Sequence, residues 1–154
     1  MQKSNPPQRN HKTKVVLVGG CFDILHYGHI YFLKKAKKLG DFLIVALESD
    51  ENTRKLKGPK RPIHTQKQRA EVLRSLTFID KVISLSSLPD YKLLTERTKP
   101  DIIACDPEDN LLKNKKVYES LGAKIVVIPK IKTHSTTQIA KLLKIEQNWY
   151  NLGI

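Results

Sequence analysis

The chain has 154 residues, with 28 lysines and arginines against 15 aspartates and glutamates, a formal charge of +13 at neutral pH. That length suits one domain with its own core, and the two cysteines, Cys21 and Cys105, stand far apart with no CxxC or Cys/His cluster, which argues against a zinc site or a disulfide scaffold. No run approaches transmembrane length, and the positive excess attracts nucleotides, sugar phosphates, nucleic acid and acidic headgroups alike, so charge alone selects no ligand.

In chain order, Met1 to Lys14 is polar and basic, contains Pro6-Pro7 and has no apolar stretch suited to a signal peptide. It predicts a flexible basic tail over residues 1–13, ahead of a cytoplasmic domain over 14–145 and a C-terminal extension over 146–154. Val15 to Val18 is short, β-branched and apolar, as a buried parallel strand should be. A helical pattern follows from Gly28 to Leu39, with Ile30, Leu33 and Ala36 on one face and a stop at Gly40. Further strands are predicted from Phe42 to Leu47, Val82 to Leu85, Ile102 to Cys105 and Ile125 to Ile128. Helices are predicted from Gln66 to Leu76, Tyr91 to Thr98, Lys113 to Leu121 and Thr136 to Lys144. Thr65 with Gln68 and Ser135 with Gln138 fit capping boxes, and Gly40 and Gly122 stand where helix C-caps belong. Glu48 to Ile63 has few apolar residues and carries Arg54, Lys55, Lys57, Lys60 and Arg61, so it predicts a mobile basic loop able to close over an anion. The alternation predicts an α/β fold, a Rossmann-like five-stranded parallel sheet with helices on both faces and ligands at the carboxyl ends of the strands.

The first strand-to-helix turn reads Gly20-Cys21-Phe22-Asp23-Ile24-Leu25-His26-Tyr27-Gly28-His29. A helix N-terminus offers free N–H groups and a partial positive charge to a phosphoryl group. His26 and His29 are three apart, so a helix starting near Tyr27 points both imidazoles into one space. A lone histidine is ordinarily a packing or surface residue. The whole spacing Gly-x-Phe-Asp-x-x-His-x-Gly-His after a buried strand is what points to phosphate chemistry.

On these residues the chain resembles the cytidylyltransferase-like nucleotidyltransferases, whose HxGH signature serves to join a nucleotide to a phosphorylated small molecule and which are remotely related to class I aminoacyl-tRNA synthetases. The resemblance runs from about Lys14 to Lys144. Leu39-Gly40-Asp41-Phe42-Leu43-Ile44-Val45-Ala46, Ser49-Asp50 and Leu56-Lys57-Gly58 look most like the adenylyltransferase domain that activates heptose 1-phosphate, then glycerol-3-phosphate cytidylyltransferase, then archaeal-type FAD synthetase. A second family signature, Arg-Thr-x-Gly-Ile-Ser-Thr-[Ser/Thr], is represented by Lys130-Ile131-Lys132-Thr133-His134-Ser135-Thr136-Thr137.

The resemblance implies a nucleotidyltransferase of the HUP type acting on CTP or ATP and a phosphorylated sugar or polyol, with release of pyrophosphate. His26 and His29 would line the α- and β-phosphates, Gly20, Cys21 and Phe22 would offer backbone contacts, and Lys57 would approach from its loop. Gly28, Lys130, Ser135, Thr136 and Thr137 complete the implied nucleotide contacts, with Arg69 either holding nucleotide or substrate or lying exposed on its helix. Asp23 matches the family's aspartate, or holds its turn by backbone hydrogen bonds. Mg²⁺ would bridge the triphosphate with few or no protein ligands, and a homodimer is implied. A phosphate monoester is already largely ionised at neutral pH, its second pKa being near ~6, so no strong base is needed. The protein's task is to hold two polyanions in line and neutralise the charge that develops.

Three departures stand out. Ala104-Cys105-Asp106-Pro107-Glu108-Asp109-Asn110 replaces a glycine-aspartate segment that lines the base pocket, Lys130 stands for an arginine, and Cys21 stands where threonine is common. The alternatives are an FAD-synthetase-like adenylyltransferase and a non-catalytic nucleotide- or RNA-binding module. The latter lacks support because the chain has no interleaved aromatic and basic platform and no Lys-Met-Ser-Lys-Ser signature, so nucleic acid is not the expected partner. A Rossmann dehydrogenase is disfavoured because the turn lacks Gly-x-Gly-x-x-Gly.

Overall fold

A computed structural model of the protein describes residues 13–143; the basic tail and the C-terminal extension lie outside them. Five strands, β1 (Val15–Gly20), β2 (Phe42–Leu47), β3 (Lys81–Ser84), β4 (Ile102–Cys105) and β5 (Lys124–Val127), form one parallel sheet in the order β3-β2-β1-β4-β5. The helices are α1 (Tyr27–Lys37), α2 (Asp50–Lys57), α3 (Gln66–Arg74), α4 (Tyr91–Thr98), α5 (Lys115–Ser120) and α6 (Thr136–Leu142). This is the Rossmann-like α/β sheet expected of the pattern.

Because side chains alternate along a strand, each central strand feeds two cores. Val16, Val18, Leu43, Val45 and Leu47 pack with Leu33 and Ala36 of α1 and Ala70 and Leu73 of α3 on one face. Val15, Leu17, Ile44 and Ala46 pack with Tyr118 of α5 and Leu94 of α4 on the other. Burying a leucine such as Leu33 contributes roughly 2 kcal/mol, and β2 is buried on both faces, which explains its unbroken apolar run. The sheet order reverses at β1, between β2 and β4, and such a switch point opens a crevice at the carboxyl end of the strand.

Three expectations need correction. The first half of the expected loop from Glu48 to Ile63 is a helix: Ser49 accepts from the Asn52 N–H, Asp50 and Glu51 stand in the first turn and Arg54, Lys55 and Lys57 in the last, so caps and dipole complementarity stabilise α2 without an apolar stripe. The single helix from Lys113 to Leu121 is a 3-10 turn over Asn110–Asn114 followed by α5. Gly40 is not a left-handed cap. A Cβ there would lie 2.6 Å from the Lys14 carbonyl oxygen and 2.8 Å from Val16 Cγ2, so the glycine is required by close approach of two backbones. Gly122, with φ 88°, follows α5 in the left-handed conformation expected of it.

The Lys14 carbonyl cannot retreat without weakening its bonds from the Asp41 and Phe42 N–H groups, at 2.8 and 3.1 Å. Gly40→Ala therefore lowers stability by about 1–3 kcal/mol, read as a reduced urea midpoint at unchanged slope.

Candidate active site

From Gly20 the chain reaches α1 through a turn in which Phe22 and Ile24 hold left-handed φ values of 46° and 51°. Isoleucine adopts that conformation only when its surroundings impose it. The Phe22 ring is buried and meets His29 edge-on at 5.4 Å between centroids, and a Cβ on Gly20 would collide with that ring at 2.8 Å.

His26 is the N-cap of α1, and helix and histidines form one unit. The Gly28 N–H donates to His26 Nδ1 at 3.1 Å, and the His26 N–H donates to His29 Nδ1 at 3.4 Å, a capping box built from imidazoles. The rings lie 3.8 Å apart with a tilt of 31°. An Nδ1 that accepts carries no proton, so each neutral ring is protonated at Nε2. Burial lowers the His29 pKa to about 3, helped by the neighbouring His26 and Lys57 and opposed by Asp23; burial lowers His26 as well. The site therefore offers two neutral Nε2–H donors at a helix N-terminus.

The second signature reaches the same place. Thr133 Cγ2 lies 3.0 Å from where a Cβ of Gly28 would stand, and His26 Cε1 lies at 2.9 Å, so a side chain at position 28 would fill the seam between the two signatures. Ser135 caps α6, accepting from the Gln138 N–H at 3.3 Å, while Thr136 and Thr137 open that helix. Lys130 pairs with Glu108 at 2.6 Å and Asp106 at 3.7 Å, which ties the segment before α6 to the loop after β4. The departures noted after β4 and at Lys130 thus meet in one exposed ionic contact.

Lys57, the last residue of α2, is within electrostatic reach of His29, Cys21 and Glu108. Asp23 lies beneath the site and holds its turn. It is 2% exposed and accepts from the Ile63 and His64 N–H groups at 2.8 and 3.1 Å and from Arg61 at 2.7 Å. Burial works to raise its pKa, but these donors outweigh it and hold the carboxyl below its usual value. Arg69 is not an exposed helical arginine. It is 2% exposed and donates to the carbonyls of Cys21, Glu48 and His64 and to Asp50 at 2.8 Å. Burial raises the Cys21 thiol pKa against the pull of Thr53 and Lys57.

Sequence reasoning missed Glu48, Tyr91 and Asn52. Glu48, 6% exposed at the carboxyl end of β2, accepts from the Tyr91 hydroxyl and from Asn52 Nδ2 at 3.0 Å, and its N–H donates to the Gly20 carbonyl at 3.0 Å. A cavity of about 590 Å³ opens beside this network, with Asn52, Lys55, Ser87, Tyr91, Asn114 and Tyr118 in its wall. An acid ending a buried parallel strand was the available signal. Among the described residues no group of three or more His, Cys, Asp or Glu is gathered as a metal cage, and Asp23, Glu48 and Asp50 already serve Arg61, Tyr91 and Arg69.

The family model described as cytidylyltransferase-like matches residues 17–146. The chain belongs to the cytidylyltransferase-like family. It is 42% identical over 142 residues to the FAD synthase of Pyrococcus abyssi, covering 88% of this chain and 93% of that one. It is 37% identical over 134 residues to the bifunctional protein HldE of Syntrophotalea carbinolica, 86% of this chain but 27% of HldE, so the chain spans about a quarter of that relative's length. A lipopolysaccharide core biosynthesis protein from Thermoplasma volcanium superposes with a TM-score of 0.66 at 31% identity, over 79% of this chain and 99% of that one. Among the described residues of this cytidylyltransferase-like chain, no helix is long and apolar enough to cross a membrane.

The depressed His29 pKa links stability to pH. Its folded value lies below the ordinary 6.5, so the unfolded chain takes up the proton first; the stabilisation is complete above about pH 6.5 and is lost as pH falls toward 3. Between pH 6.5 and 4.5, above the range where Asp23 titrates, the urea-derived stability of wild type falls by up to about 1.4 kcal/mol per pH unit from this group. His29→Gln makes that segment shallower, leaving the contribution of His26, whose pKa burial also lowers.

Proposed function

We propose that this protein is a nucleotidyltransferase that moves a nucleoside monophosphate from CTP or ATP, as its Mg²⁺ complex, to a phosphorylated sugar or polyol. A phosphate oxygen of the acceptor attacks the α-phosphorus, a new P–O bond forms, and the bond to the β-phosphate breaks with its electron pair leaving on pyrophosphate. No protein nucleophile takes part. The observation that carries this reading is the imidazole pair at the start of α1, both Nδ1 atoms occupied by backbone N–H groups, in contact with the second signature through Thr133.

In this reading His26 and His29 donate from Nε2 to the α- and β-phosphoryl oxygens, where charge accumulates as pyrophosphate leaves. Because each Nδ1 is held as an acceptor by a backbone N–H, the rings donate from Nε2 in their neutral form. Gly20, Cys21 and Phe22 contribute backbone, and Gly28 leaves room. Lys57 approaches from α2 with mobile positive charge, Ser135, Thr136 and Thr137 bring the N-terminus of α6, and Lys130 exchanges its carboxylates for phosphate. Arg69 and Asp23 support these groups from below. The cavity beside Tyr91, whose wall combines Asn52, Lys55, Ser87 and Asn114 with Leu88, Pro89 and Val117, is the space we assign to the organic part of the acceptor.

A second reading, AMP transfer to a flavin phosphate, is favoured by the match that covers 93% of the Pyrococcus abyssi FAD synthase. The two readings differ in the acceptor, and the second fixes the nucleotide as ATP. A pyrophosphate-release screen of ATP, CTP, GTP and UTP against sugar, polyol and flavin phosphates separates them. One nucleotide with one acceptor class gives turnover, and His29→Ala lowers it by about a hundredfold or more without loss of the folded state by circular dichroism. A wild-type level in that variant removes the assigned role, and no release with any pair removes the enzyme reading.

A further inference from the structure

Arg61 and Asp23 form a buried ion pair at the edge of the proposed site: they are 4% and 2% exposed, and Nε and Nη2 of Arg61 both approach Asp23 Oδ2 at 2.7 Å. Asp23 stands three residues before His26, in the turn that carries Phe22 and Ile24. Arg61 stands four residues after Lys57. The connection between them is short and closed, since the Gly58 N–H bonds back to the Arg54 carbonyl at 2.9 Å and the Arg61 N–H donates to the Gly58 carbonyl at 3.1 Å. Wherever Arg61 is held, the end of α2 and Lys57 are held with it. The same carboxylate fixes the next step of the chain through the Ile63 and His64 N–H groups.

We propose that Arg61 is a positioning residue which, through its pair with Asp23, sets Lys57 against His29 across the cleft. Arg61 does not reach phosphate itself, because its side chain is buried and its Nε and Nη2 are committed to Asp23. Its charge is offset there by the carboxylate, so the pair acts chiefly by fixing geometry. Stability is a weak reason for such a pair: buried ion pairs spend most of their attraction on desolvation, and apolar substitutes for both partners are often as stable. Asp23, Arg61 and Lys57 all act electrostatically on His29, which places the four groups in one neighbourhood.

The kinetic half of the test rests on the transferase reading; the structural half does not. Limited trypsin digestion of the full chain reports whether the segment is held. Arg61→Met releases it, and cleavage after Lys57 or Lys60 speeds up by about tenfold or more. If the single variant folds poorly because Asp23 is left as a buried charge, Arg61→Met with Asp23→Asn removes that charge, regains stability and still shows the faster cleavage. In turnover, Arg61→Met lowers kcat by about ten- to a hundredfold while the nucleotide KM changes by less than about threefold. Lys57→Ala then has little further effect in the Arg61→Met background, although it is severe in wild type, because the lysine is already misplaced. Wild-type cleavage rates in both variants, or fully additive effects of Arg61→Met and Lys57→Ala, each overturn the proposal. A wild-type protein that releases no pyrophosphate refutes the transferase reading, and the cleavage rates still decide whether Arg61 positions Lys57.

Discussion

Two backbone N–H groups at the start of α1, those of His26 and Gly28, are donated to imidazole nitrogens, and the rest of the site follows from them. A helix must find partners for its first N–H groups, and Ser, Thr, Asp or Asn usually supply them. With histidine in that position the cap also fixes ring orientation and tautomer, leaving each Nε2–H directed away from the helix. Burial keeps the rings neutral, so no fixed charge needs a counter-ion before an anion arrives. Glycine at position 28 is required because the second signature and the first ring occupy the space a side chain would take.

The formal charge of the chain contributes less to the site than its size suggests. Arg61 and Arg69 are buried, one paired with Asp23 and the other with Asp50 and three backbone carbonyls. They act as braces between chain segments distant in sequence, a use that suits a guanidinium, with several donors in a fixed plane. Among the described residues no buried side-chain nitrogen or oxygen lacks a hydrogen-bond partner. Lys57 and Lys130 carry their charge on exposed side chains, Lys130 beside Glu108 and Asp106.

Much of the fold was legible because the signals were local. The apolar runs of β1, β2 and β4 and the capping boxes at Thr65 and Ser135 appear where the pattern placed them, and α1 starts within one residue of its predicted start at Gly28. Helix α2 was missed because Thr53 is its only buried residue, so hydrophobic periodicity was silent while its capping and charge pattern, with Ser49 ahead of Asp50 and Glu51, was readable. Gly40 was misassigned because a close approach between two backbones leaves no trace in the residues around it. Arg69 was expected at the surface or on a ligand because arginine is rarely buried, and its four partners come from three separate segments of the chain.

What the sequence by itself determined was the set of parts: a parallel sheet from the strand-helix alternation, and a paired-imidazole turn from one ten-residue spacing. Those are consequences of short-range geometry, the pitch of a helix and the pleat of a strand, which any reader of the residues can apply. Only the tertiary structure decided which cations stay available for an anion and which are spent, that Asp23 meets Arg61 across 38 residues, and that Thr133 closes on Gly28. The physical reason is that burial and ion pairing depend on what lies across the sheet and across the crevice, and those neighbours are chosen by packing.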